Sequence, residues 1–409
     1  MGKIWKKLCA LTGLFALLMF SPLGLLADPG SEKSKKVAPE ENTVLVDGSV
    51  GKSESASLTA SSATEECAKN VIPIILSADN NFAPPMYITM FSILKNSNKD
   101  TYYHFHLLIP SNFEQRYKDE ITNLGEKYNN CKINFIDMGA AFTNMFPAGW
   151  PPSASYRLIA ADLLPNYEKC LYIDVDVLVR YDLGELYNID LGDCYIGGVK
   201  KAAMALDKGA AKYVLSTVNI DSNQYINSGV LLMNLDLIRK DGLSEKLVST
   251  LKYGIEGKRS FRFPDQDVLN KVCFGRIKFL GPKYNLYAWL PSKVKSSQEI
   301  RKILENFFGK EQVEEACTNP CIVHFAGPKP WVNTSLSYAD EWWEYTRQTP
   351  FHEEMKGKSH HGHKITLRHN PVLHRPVLHK PIPQRKPAPV SPAKGPHRHP
   401  TQVRKIARK

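Results

Sequence analysis

The ten residues Cys170–Val179, C-L-Y-I-D-V-D-V-L-V, constrain the fold most. Apart from two aspartates, they are a nearly continuous run of β-branched, aliphatic and aromatic side chains. Such a composition marks a strand covered on both faces, as in a mainly parallel α/β sheet. Asp174 and Asp176 flank Val175, so on a strand their side chains share one face. Two carboxylates held that close raise each other's pKa and are costly to bury. A shared hard cation removes the cost, and paired carboxylate oxygens suit Mg²⁺ or Mn²⁺. The competing reading is a D-x-D loop without a ligand; the apolar surroundings favour the metal.

The stretch around this run alternates between strand and helix patterns. Strands are expected at Val71–Asp79, Tyr102–Pro110, Lys132–Met138, Cys194–Val199, Val230–Leu235, Ile277–Leu280 and Cys321–Ala326. Helices are expected at Met86–Leu94, Phe113–Tyr128, Ser153–Leu164, Asp236–Tyr253, Asp265–Phe274 and Tyr338–Arg347. Strand–helix alternation is the signature of right-handed βαβ units, so residues 69–350 read as one α/β domain with a mainly parallel sheet flanked by helices.

The ends read differently. Residues 1–27 combine Lys3, Lys6 and Lys7 with an apolar run and a small-residue cleavage context, the layout of a signal peptide or signal anchor. Both readings place the remainder across a membrane, exported or membrane-tethered. Residues 28–68 are rich in Ser, Lys, Glu, Ala and Gly and read as a disordered linker. From 351 to 409 the chain turns to Pro, His, Lys and Arg, read as a disordered basic tail. The net charge of +12 resides there: residues 355–409 carry eight Lys, six Arg and no acid, so the rest sums to about −2. The charge therefore gives no reason to expect specific nucleic-acid binding by the domain, while the tail suits polyanions or a membrane surface. The eight cysteines are scattered without zinc-finger spacing, and Cys317 and Cys321 are either a disulfide pair or two buried thiols.

Ligands of open α/β sheets sit beyond the carboxyl ends of the strands. Five polar stretches are candidates for binding or chemistry, the first of them at such an end. Ala78, Asp79 and Asn81 end the first strand, where they either read a base or ribose or simply make a turn. Arg157 precedes the acidic strand and either clamps phosphate or sugar hydroxyls, or pairs with Asp162 or Glu168. Asn227-Ser228-Gly229 leads into an apolar strand. Asp265 is a plausible helix N-cap, with Gln266 and Asp267 beside it. His324 ends another apolar strand, followed by Gly327, Lys329 and Trp331; its imidazole could complete the carboxylate pair as a ligand or merely cap the strand.

Taken in order, Asp79, Asp174-x-Asp176, Asn227-Ser-Gly229, Asp265-Gln266 and His324-x-x-Gly327 with Lys329-Pro-Trp331 resemble glycosyltransferase family 8, over roughly Ile72–Trp331. These are retaining enzymes of the GT-A fold and include bacterial lipopolysaccharide glucosyl- and galactosyltransferases and glycogenin. The resemblance implies a UDP-sugar donor, a glycan, lipid-linked or protein acceptor, and Mn²⁺ or Mg²⁺ bound by Asp174, Asp176 and His324. It further implies that Ala78, Asp79 and Asn81 contact uridine and that Arg157 and Val175 contact the donor. Asn227, Asp265 and Gln266 would lie near the anomeric carbon, and Gly327 and Lys329 near the diphosphate. In the family two residues usually separate that glycine and lysine; here only Pro328 does. Two other classes compatible with the sequence are a nucleotidyltransferase and an exported binding protein acting through its basic tail.

Overall fold

The apolar run expected from Val71 forms β1 (Asn70–Ser77), whose side chains alternate between two cores: Ile72, Ile74 and Leu76 pack on one face and Ile75 on the other. In this computed structural model, residues 70–139, 141–142, 151–256 and 261–365 are described. The expected leader, the linker and the tail beyond 365 lie outside them. Strands β2 (Thr101–Ile109) and β4 (Lys169–Ile173) flank β1 as parallel neighbours, and β3 (Cys131–Asp137) pairs in parallel with β2. With β6 (Ile196–Lys200), β7 (Ile226–Asn234) and β8 (Ile277–Leu280) they make a seven-stranded sheet in the order β3-β2-β1-β4-β7-β6-β8. Strand β7 runs antiparallel to both its neighbours, so the sheet is mixed but mainly parallel, as expected.

A second sheet of three strands carries β5 (Val177–Val179), β10 (Ile322–His324) and β9 (Leu286–Tyr287), in the order β5-β10-β9. This corrects the single acidic strand: β4 ends at Ile173 and β5 begins at Val177, so Asp174-Val175-Asp176 is the turn by which the chain leaves one sheet for the other. Thr89, on the buried helix Ala83–Lys95, fixes that turn by donating its hydroxyl to the carbonyls of Val175 (3.0 Å) and Val177 (3.1 Å). Two carboxylates are thereby kept out of the fully covered sheet.

Other boundaries move for identifiable reasons. The helix expected at Ser153–Leu164 is a 3-10 segment, Pro152–Ile159, followed by a short α turn, Ala160–Leu163. The helix expected at Asp236–Tyr253 is two, Leu235–Lys240 and Leu243–Glu256, broken at Gly242, whose φ of +60° is left-handed. Helices at Leu290–Ser296, Gln298–Phe308 and Lys310–Thr318 add a small satellite core with β9. The basic tail also begins later than 351, because His352–Ile365 is helical. Phe351 packs against Tyr87 and Tyr117 (5.1 and 5.8 Å between centroids), Met355 is fully buried, and prolines, which would break a helix, start only at 371. The six described cysteines, Cys317 and Cys321 among them, are free thiols.

Candidate functional site

Strand pairing assembles the site. His324 pairs with Val177 across β10–β5, which sets the imidazole beside the acidic turn from far along the chain. Its Nε2 lies 3.2 Å from Asp176 Oδ1 and 3.8 Å from Asp174 Oδ2. One ligand atom from each of these three residues falls within 4.8 Å of the others, and they form the only such group among the described residues.

Each carboxylate has one oxygen tied to protein and one turned to the cluster. Asp174 Oδ1 accepts from Arg157 Nη2 (2.8 Å) and from the Tyr172 hydroxyl (3.0 Å), leaving Oδ2 on the histidine side. Asp176 turns Oδ1 to the histidine, while Oδ2 takes the ammonium of Lys329. Burial alone would raise the Asp176 carboxyl, but Lys329 and His324 outweigh it and hold it well below the usual carboxylate range.

The protonation of the imidazole at Nδ1 follows from a chain of hydrogen bonds anchored at the backbone. The N–H of Gly229 donates to Asn227 Oδ1 (3.0 Å), so that atom is an acceptor. Asn285 Nδ2 donates to the same oxygen (2.8 Å), which leaves Asn285 Oδ1 to accept from His324 Nδ1 at 2.8 Å. Nδ1 therefore carries a proton, and Nε2 faces two carboxylate oxygens. A proton on Nε2 pairs with these oxygens, and a divalent cation would take that proton's place. Two oxygens, one imidazole nitrogen and an outer amide that orients the ring are the donor set of a divalent metal such as Mn²⁺.

Gly229 permits this convergence. A β-carbon there would stand 2.3 Å from His324 Cε1 and 2.7 Å from Asp174 Oδ2. Its carbonyl also accepts from the Asp174 N–H (2.7 Å), joining β7 to the acidic turn.

The same network reaches the helix Pro264–Val272. Gln266 Oε1 accepts from Asn227 Nδ2 (2.9 Å) and from the Ser228 N–H (3.3 Å), and Gln266 Nε2 donates to the Tyr225 hydroxyl (2.7 Å). Tyr225 and Tyr213 both donate to the buried Asp267 carboxylate at 2.5 Å. Asp265 is not the N-cap expected of it; Phe263 holds that position and Pro264 opens the helix. Asp265 instead accepts from Ser228 Oγ (2.9 Å) and lies 3.4 Å from Arg157 Nε. Burial raises its pKa, and Arg157 offsets part of the rise.

Arg157 pairs with neither Asp162 nor Glu168. Its guanidinium stacks 4.0 Å from the Tyr172 ring, and all three nitrogens are engaged by Asp174, Asp265 and the carbonyls of Ala154 and Ser228. It positions the carboxylates.

Ala78, Asp79 and Asn81 lie beyond the carboxyl end of β1, the parallel neighbour of β4. Asp79 Oδ1 caps the following turn by accepting from the N–H groups of Asn81 (2.9 Å) and Phe82 (3.2 Å). Lys358, from the C-terminal helix, donates to the Asn81 carbonyl (2.7 Å). Gly327, at φ +95°, turns the chain between His324 and Lys329. Sequence reasoning missed Asn285, Tyr225, Thr89 and Lys358. Only Lys358 had a signal, a cation preceding the proline-rich tail; the other three owe their roles to tertiary pairing.

The profile described as Glycosyl transferase family 8 matches residues 73–335. A Haemophilus influenzae protein is 31% identical over 216 residues, 52% of this chain and 62% of that protein. General stress protein A of Bacillus subtilis is 25% identical over 291 residues, 68% of this chain and 94% of the relative. A lipopolysaccharide 1,2-glucosyltransferase of Escherichia coli is 29% identical over 257 residues, 62% of this chain and 71% of the enzyme. The chain thus spans less than two thirds of the Haemophilus relative's length. Among solved structures, the WbbM bifunctional glycosyltransferase superposes with a TM-score of 0.61 at 24% identity, covering 71% of this chain and 52% of that one. Galactosyltransferase LgtC, solved with donor and acceptor sugar analogs, gives 0.58 at 23% identity, covering 70% and 100%. These two likenesses establish a shared GT-A fold.

Proposed function

Given that this chain belongs to glycosyl transferase family 8, we propose that it is a retaining glycosyltransferase moving a hexose, glucose or galactose, from a UDP-sugar to a glycan or lipid-linked glycan acceptor with a divalent metal. The observation that carries this reading is the convergence of Asp174 Oδ2, Asp176 Oδ1 and Nε2 of His324. Bound there, Mn²⁺ or Mg²⁺ supplies charge neutralisation for the departing nucleoside diphosphate.

The chain's own residues prepare that step. Arg157 and Tyr172 hold one oxygen of Asp174 so that the other faces the cluster, and Asn285 fixes the ring of His324. The Lys329 ammonium rests on Asp176 and on the carbonyl of Phe325 (3.0 Å), one residue beyond the turn at Gly327-Pro328. Once Asp176 gives its charge to a cation, that ammonium is free to meet a diphosphate oxygen. Ala78, Asp79 and Asn81 form the uridine end of the cleft, beside the turn that contains Val175. Asn227, Asp265 and Gln266 face the reacting carbon, where carboxylate and amide oxygens stabilise oxocarbenium character. Both amide ends of Gln266 and one oxygen of Asp265 are committed to protein partners, so the two serve as fixed electrostatic groups. The leader at 1–27 supports an exported or membrane-tethered setting, and the basic residues beyond 365 suit an anionic surface there.

The test is UDP release from a panel of UDP-sugars by the full chain, with and without Mn²⁺. Release with UDP-glucose or UDP-galactose that needs the metal, and that falls about 100-fold or more in Asp176→Asn, is expected. Equal turnover without metal, or incorporation of nucleotide rather than release of UDP, would overturn the reading.

A further inference from the structure

The ligand edge of the large sheet carries a lysine that no described acid pairs with. Strand β6 is antiparallel to β7, and β7 to β4, so the carboxyl end of β6 opens on the same edge as the acidic turn. Lys201 directly follows that end and is tied to the start of β7, its N–H donating to the Tyr225 carbonyl at 2.8 Å. Its Nζ lies 3.6 Å from the centroid of the Phe263 ring and 5.8 Å from that of Tyr225. An aromatic face takes one side of an ammonium, yet the three N–H donors still need acceptors, and no described residue within hydrogen-bond or ion-pair reach supplies one. The nearby carboxylates are already engaged: Asp267 by the hydroxyls of Tyr213 and Tyr225 and by the Phe263 N–H (3.0 Å), Asp265 by Ser228 and Arg157. Lys201 is half-buried, and its Nζ is not closed off from solvent.

An ammonium in such surroundings is incomplete. Burial lowers its pKa to about 8, with Asp267 and Asp265 opposing the fall, so at neutral pH it keeps its charge while losing hydration. Buried charges are normally paired, and an anion supplies both the countercharge and the acceptors. Arg262, the residue before Phe263, adds a second cation: it is exposed, stacks 4.5 Å from the Tyr213 ring and makes no ion pair among the described residues. The place of Lys201 in the sheet says which molecule brings the anion. Along the ligand edge the strands run β1, β4, β7, β6, so residues 78–81, the acidic turn, Asn227 and Lys201 follow one another in space. A strand spacing of about 4.8 Å puts Lys201 roughly 10 Å past the acidic turn, on the side away from residues 78–81. Asn227 faces the sugar in transfer on the reading proposed above, so Lys201 stands beyond that sugar, where an acceptor approaches.

We propose that Lys201, assisted by Arg262, is a specificity-determining residue that binds an anionic group, carboxylate or phosphate, on the acceptor glycan. Its role toward an acceptor rests on the transferase reading; its binding of an anionic sugar does not. The test is saturation-transfer NMR on the full chain, with UDP and Mn²⁺ and again without them. The probes are methyl glucoside, methyl glucuronide, glucose 6-phosphate and inorganic phosphate, and the second and third tell a carboxylate from a phosphate ligand. At least one of the two anionic sugars should bind about tenfold or more tightly than methyl glucoside. Lys201→Met should abolish that preference, Lys201→Arg should retain it, and the surface variant Arg262→Gln should weaken it about two- to fivefold. Thermal unfolding of each variant establishes that it is folded. No binding by either anionic sugar, equal binding of neutral and anionic sugars, a preference that survives Lys201→Met, or binding of inorganic phosphate alone would overturn the proposal. So would a preference shown only by UDP-glucuronic acid over UDP-glucose, which would put the anion on the donor. UDP release measured in parallel separates the two readings. Release without any anion preference sinks only the role of Lys201. An anion preference without release sinks the transferase and leaves an anionic-sugar site.

Discussion

Gly229 shows how little room the site leaves at the level of single residues. Alanine there would drive a methyl group into the His324 ring and the Asp174 carboxylate, at 2.3 and 2.7 Å. Both neighbours are held by other bonds, so Gly229→Ala should cost about 1–3 kcal/mol of stability and abolish metal-dependent turnover, read by thermal unfolding and UDP release. Asn285 should act more quietly. Replacing it by leucine removes the acceptor that fixes Nδ1–H of His324, and Mn²⁺ affinity should fall about 10–100-fold with the fold intact. An unchanged affinity would mean that the ring needs no such support. Asp174, Asp176 and His324 were legible from the sequence because acids and an imidazole are conspicuous in apolar runs. Asn285, between Tyr284 and Leu286, has no local signature; the parallel pairing of β9 with β10 alone gives it a role. Arg157 was legible as functional, but its partners Asp174 and Asp265 depend on tertiary structure that spacing does not encode.

At the level of elements, the strands were readable because buried parallel strands are written as unbroken apolar runs. The acidic run misled in one respect: continuous composition concealed a change of sheet at Asp174–Asp176, since β4 and β5 are equally apolar. The helix Gln298–Phe308 did have a signal, Ile300, Leu304 and Phe308 at helical spacing, and they do meet the satellite core. The 3-10 and π segments, such as Val214–Val218, have no period that sequence reasoning can use. Two predictions belong at this scale. Ending the chain at 350 strips the buried Phe351 and Met355 from their core and should cost roughly 2–5 kcal/mol, whereas ending it at 365 should leave the unfolding temperature nearly unchanged. The second concerns β2. Folding lowers the His106 pKa from 6.5 to about 4, so between those values the unfolded chain binds the extra proton. Stability is therefore full above about pH 6.5 and declines as the pH falls toward 4, by roughly 2–4 kcal/mol. His106→Gln should flatten that part of the profile of unfolding temperature against pH, and an unaltered slope would assign it to other groups.

For the whole molecule, the account reduces to one cation joining two sheets. The acids stand where the large sheet hands the chain to the small one, and the imidazole comes from the central strand of the small sheet. Binding should therefore stabilise both sheets together, and saturating Mn²⁺ with UDP should raise the unfolding temperature of wild type but not of His324→Ala. The most direct test is an electron paramagnetic resonance titration of Mn²⁺ into the full chain in the presence of UDP, for wild type, Asp176→Asn and His324→Ala. The account predicts one tight Mn²⁺ per chain, with affinity reduced about 100-fold or more by either substitution. Equal tight binding by all three proteins would contradict it.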